Sequence, residues 1–97
     1  MGFVQIIEFK TSRIDEVRKA GEEFEAATAG KRTATRRTLC EDRDRPGTYM
    51  MMVEFPSYED AMKNSALPET NKVAEKIGAL ADDQKFLNLD VIDENKL

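Results

Sequence analysis

Residues 47–70 read GTYMMMVEFPSYEDAMKNSALPET, and the fold turns on them. From Tyr49 to Phe55 the run is apolar except for Glu54. A strand with one face in water alternates apolar and polar residues, so this one reads as buried on both faces. Pro56 ends it. Ser57 and Asp60 then form S-x-x-D, a capping-box variant that predicts a helix starting directly after the proline. That helix runs over 57–65 and breaks around Ala66-Leu67-Pro68. It resumes over 68–81, with Pro68 near the first helical position, where its missing N–H costs little. Val73, Ile77, Leu80 and Ala81 give the second segment an apolar stripe.

Upstream of the strand, Arg45-Pro46-Gly47-Thr48 has the residues of a type II turn, with Pro second and Gly third. The turn makes a hairpin with residues 33–42 (TATRRTLCED), which are Thr-rich, polar on both faces and suited to an exposed edge strand. Here Arg36 and Arg37 read as solvated edge charges, and Cys40 as a small buried residue without a base to activate it. Phe3–Lys10 is the first strand, with Phe3, Gln5, Ile7 and Phe9 on one face and Val4, Ile6 and Glu8 on the other. Ser12 and Asp15 repeat the S-x-x-D start. Ile14, Val17, Gly21 and Phe24 follow at helical spacing, so a helix is expected over 13–29 with Gly30 as its C-terminal cap. Residues 86–92 (FLNLDVI) read as the last strand, with Leu87, Leu89 and Val91 on one face, and 93–97 as a frayed charged tail.

The order is β-α-β-β-α-β. Right-handed crossovers place the first and third strands side by side in the middle of an antiparallel four-stranded sheet, an α+β, ferredoxin-like arrangement. Those two strands are also the ones with apolar residues on both faces. The chain's own helices can cover one face of the sheet, and the other still needs cover.

Composition narrows the function. A length of 97 without a linker-like stretch fits one domain, 1–97. A net charge of −4 opposes nonspecific nucleic-acid binding. The same strand order also builds RNA-recognition domains, but Met50 and Met52 stand where their base-stacking aromatics would be. No apolar run approaches the roughly 18 residues of a membrane span, and residues 3–7 are too short for a signal peptide. The lone Cys40 fits a reducing cytoplasm. With no His and one Cys, the chain cannot by itself build a structural zinc site, a Ser–His or Cys–His nucleophile, or the usual proximal ligand of a haem. The five glycines are scattered, so no phosphate loop is present. Neither a metal nor a cofactor is expected.

The 47–70 pattern, a following helix and FLNLDV near the end resemble the dimeric α+β barrel superfamily, and within it the antibiotic-biosynthesis-monooxygenase-like proteins. The resemblance covers nearly the whole chain. It implies a homodimer in which two sheets pack face to face with helices outside, so a second copy would cover the open face. The haem-degrading branch needs a His and a Trp that this chain lacks. The quinone-forming branch uses no cofactor: a phenol is deprotonated and its anion passes an electron to O₂. That branch carries an Asn in the second helical region, here Asn64, and an Arg nearby; its Trp has no counterpart.

The pocket is expected between the 57–65/68–81 unit and the inner sheet face, because the break at 64–68 interrupts helix packing. Phe24, Tyr49, Met51 and Phe55 would supply apolar walls, with Met50 and Met52 packing between sheets. Tyr58, Asn64 and Asn88 would supply polar contacts, Asn64 and Tyr58 as the catalytic pair. Gln5, Asn88 and Asp90, polar residues in apolar strands, mark the polar spot. The expected ligand is an aromatic or polyketide-like small molecule. The alternatives are a non-catalytic ligand-binding or accessory dimer, and an isomerase or cyclase on the same fold.

Overall fold

The computed structural model describes residues 2–97. Its elements follow as β1 (Phe3–Lys10), α1 (Ile14–Ala27), β2 (Arg36–Glu41), β3 (Thr48–Phe55), α2 (Tyr58–Ser65), α3 (Pro68–Leu80) and β4 (Asp82–Asp90). The strands form one sheet in the order β2-β3-β1-β4, and every neighbouring pair is antiparallel. The two strands that are apolar on both faces do lie in the middle, β1 against β3, with Ile7 opposite Met51 and Phe3 opposite Phe55.

Local chemistry explains the element ends. Ser57 Oγ accepts the Asp60 N–H at 3.1 Å and donates to Asp60 Oδ2 at 3.0 Å, which starts α2 as the S-x-x-D pattern requires. The same pattern fails at α1. Arg13 is the N-cap, with no side-chain cap bond. Thr11 Oγ1 instead accepts the Arg13 N–H and donates to Leu80 O, tying the β1–α1 corner to the end of α3. Nor does Gly30 cap the helix. Thr28 ends it, its Oγ1 and N–H both donating to Phe24 O, and Gly30 sits in the turn beyond with φ +80°. β4 begins at Asp82 and ends at Asp90, earlier than the expected 86–92. Residues 93–97 are exposed and carry no regular structure.

Thr48 N donates to Arg45 O at 3.0 Å, and Gly47 has φ +86°, as a type II turn demands of its third residue. An L side chain disfavours this region by about 1–2 kcal/mol. Gly47→Ala should therefore lose about that much stability in a urea melt, and an unchanged midpoint would mean the hairpin turns by another geometry.

All helices lie on one face of the sheet. The core there falls into two clusters. Phe3, Phe55 and Ala61 form one, joined by Ala34 and Val53. Phe9, Val17 and Met51 form the other, with Ile77, Leu80 and Tyr49 against them. α3 packs along α1 and has no fully buried residue. The opposite sheet face carries Val4, Ile6, Met50, Met52, Leu87 and Leu89, in register across β4, β1 and β3. Leu87 and Leu89 are 49% and 43% exposed. Cys40, on the same face, is exposed, contrary to the buried position expected. Among the described residues, no helix is long and apolar enough to cross a membrane.

Candidate functional site

Between the two core clusters lies a cavity of about 290 Å³. Its floor is the sheet, through Gln5, Ile7, Met51, Val53 and Phe55. Its roof is α1 and α3, through Phe24, Val73 and Ile77. Phe3 and Phe9 anchor the ends of β1 in different clusters, and Gln5 between them belongs to neither. The volume is near the small end for ligand pockets, and the mixture of apolar walls with a few polar groups is typical of them.

Of the residues singled out from sequence, Phe24, Met51, Phe55 and Asn64 line this cavity. Tyr49 does not: its ring stacks on Phe9 at 5.8 Å and borders a separate groove beside α1. Burial and the nearby Glu41 carboxylate raise its hydroxyl above the usual tyrosine range. Tyr58 is also outside. The first turn of α2 directs it edge-on against Phe3, with the ring centroids 5.4 Å apart, and leaves it 53% exposed. Asn88 is exposed on the β4 edge. It reaches the cavity only through Gln5, whose Nε2 donates to Asn88 Oδ1 at 3.2 Å.

Asn64, in the last turn of α2, is buried. Its Oδ1 accepts the Thr33 N–H at 3.3 Å, and its carbonyl accepts from Thr70 Oγ1 at 2.6 Å. It thus holds the α1–β2 loop and the start of α3 while facing the cavity.

Arg37 is the residue that sequence reasoning misplaced. It is half-buried, lines the cavity and pairs with Glu25 through Nη2 at 2.7 Å, so it is not a solvated edge charge. Arg36 does point away, 74% exposed beside Glu54. The signal that separates them is Leu39: two residues after Arg37, it shares that residue's face, and it packs into the core. Among the described residues no group of three His, Cys, Asp or Glu is placed to hold a metal ion.

No family model matches the chain, and no curated protein matches it in sequence. Solved structures match it in fold. SnoaB, a cofactor-independent oxygenase from Streptomyces nogalater, is 16% identical with a TM-score of 0.79, over 96% of this chain and 95% of that one. Rv0793 from Mycobacterium tuberculosis is 17% identical with a TM-score of 0.76, over 99% and 100%. A structure described as an antibiotic biosynthesis monooxygenase is 20% identical with a TM-score of 0.73, over 96% and 100%. The chain has the ferredoxin-like fold of the antibiotic-biosynthesis-monooxygenase-like proteins, as the resemblance implied.

Proposed function

We propose that the chain is a small-molecule-binding homodimer that oxygenates an electron-rich aromatic substrate without a cofactor. The observation that carries this reading is the apolar cavity with Asn64 buried in its wall. In such a site the phenolate of the substrate passes one electron to O₂, and the resulting radicals join at the ring carbon para to the oxygen. The hydroperoxide then loses water and leaves a quinone. One oxygen atom enters the product and the other departs as water with the substrate's own hydrogens, so no outside reductant is needed. The protein's share is exclusion of water and donors fixed toward the phenolate oxygen. Asn64 Nδ2 serves as one donor, since Oδ1 is held by Thr33.

Oxygen uptake with an electron-rich naphthol and no added cofactor tests this, and the rate should rise with pH as the naphthol ionises. Binding without uptake would leave the accessory role, which the exposed position of Tyr58 and the absence of Trp already favour. Asn64→Asp should lower turnover on the order of 10²-fold, because it removes the donor and adds a negative charge beside the phenolate. It keeps Oδ1 for Thr33, and a melt run beside the assay separates lost chemistry from the cost of a buried carboxylate. Asn64→Ala, by contrast, orphans that N–H and should also cost about 1–3 kcal/mol of stability. An Asp variant with the parent's rate would remove Asn64 from the chemistry.

The second copy covers the open sheet face, where Ile6 and Met52 lie side by side next to the exposed Leu87. A contiguous apolar face of this kind is uncommon on a monomer. Cys40 stays a free thiol in a reducing compartment.

A further inference from the structure

The β2 side of the cavity holds a buried donor with nothing to accept from it. Arg37 lies opposite Val53 and so faces the helices. Its Nη2 is bound to Glu25 Oε1, but its Nε is buried and has no hydrogen-bond partner among the described residues. A buried donor left unpaired is unfavourable, more so on a cation, and folded proteins rarely tolerate one without a use for it. A second observation concerns the helix above. A Cβ at Gly21 would come 3.4 Å from Arg37 Nη1 and 3.5 Å from Cζ. These are ordinary contact distances, so the guanidinium passes close under α1 at Gly21. The charge balance agrees, since Arg32 and Arg37 border the cavity and, among the described residues, Glu25 is the one carboxylate that does.

We propose that Arg37 determines the specificity of the cavity and that its ligand is an aromatic acid. The ring lies among Phe24, Val73 and Phe86, and the carboxylate accepts from Arg37 Nε. The inference rests on the cavity being the substrate site, but not on oxygenation. A carboxylate suits this donor better than a neutral oxygen, because the hydrogen bond is then charge-assisted on both sides.

Calorimetric titration of the wild-type protein with 2-naphthoate, 2-naphthamide and 2-naphthol tests it. Naphthoate should bind on the order of 10–100-fold more tightly than the isosteric amide, as a charge-assisted bond to a buried cation would give. Arg37→Met should erase that preference while leaving amide binding in place. Should the Met variant fail to fold, Glu25→Gln provides the second reading: it frees Arg37 and should tighten naphthoate alone. Equal affinities for naphthoate and amide, or weaker naphthoate binding in Glu25→Gln, would overturn the role of Arg37 and leave the cavity assignment standing. Naphthol binding as tightly as naphthoate would overturn the carboxylate. No binding of any of the three would overturn the cavity as ligand site.

Discussion

Replacing Phe9 by alanine is expected to remove about 3–5 kcal/mol of stability, the usual loss for a large aromatic taken out of a closed core. Phe9 is 1% exposed and touches the fully buried Val17, the buried Met51 and the face of Tyr49. For a domain of this size the loss corresponds to a Tm lower by roughly 12 °C or more. Since small domains hold about 5–15 kcal/mol in total, the variant should be close to unfolding at room temperature. The substitution also probes the division of the core. Phe3 belongs to the other cluster, beyond the cavity. The milder pair Phe3→Leu and Phe9→Leu should therefore add within about 0.5 kcal/mol, as distant sites do. Strong coupling between them would show that the clusters are one, and that the cavity does not separate them.

Met52→Asp should convert the proposed dimer to monomer. Met52 is half-buried on the open face, directly beside Ile6 on one side and Thr38 on the other. In an isolated protomer a carboxylate there still reaches water, so the fold survives. Between two sheets it would be desolvated against Val4, Ile6 and Leu87, at a cost of several kcal/mol per copy. Because the two copies share the interface, the penalty enters twice. Light scattering at micromolar concentration should give a dimer for the parent and a monomer for the variant. A monomeric parent would sink sheet-on-sheet assembly outright, and a variant still dimeric would move the interface elsewhere. Met50 is the poorer probe, since its neighbour Glu8 already brings Arg45 and Lys85 to that end of the face.

The fold was readable because its decisive signals are local and repeated. Two strands apolar on both faces, a turn with Gly at the position of positive φ, and a Ser–Asp cap after a proline leave little freedom. The failures share a cause as well. Ser12–Asp15 and Ser57–Asp60 are the same motif, yet only the second caps a helix, because Thr11 had already taken the first corner through Leu80. That bond joins residues from opposite ends of the chain, which no local pattern reports. Tyr58 and Asn88 looked like site residues by type, but helix phase turns one outward and strand register leaves the other on an edge. Arg37 was obscured by its twin. Adjacent residues of a strand face opposite ways, and the pairing with β3 decides which one enters the protein.

The central place of β1 governs how the molecule can assemble. It is hydrogen-bonded on both sides, and one of its partners is the last strand: Gln5 meets Asn88 across 83 residues of chain. Loop closure over such a span must precede the contacts that reward it, which puts folding among the slower rates of small proteins. During synthesis the β2–β3 hairpin and α1 can form early. The sheet, however, keeps one raw edge on a strand that is apolar on both faces until β4 emerges, and chains halted before that point should be the aggregating species.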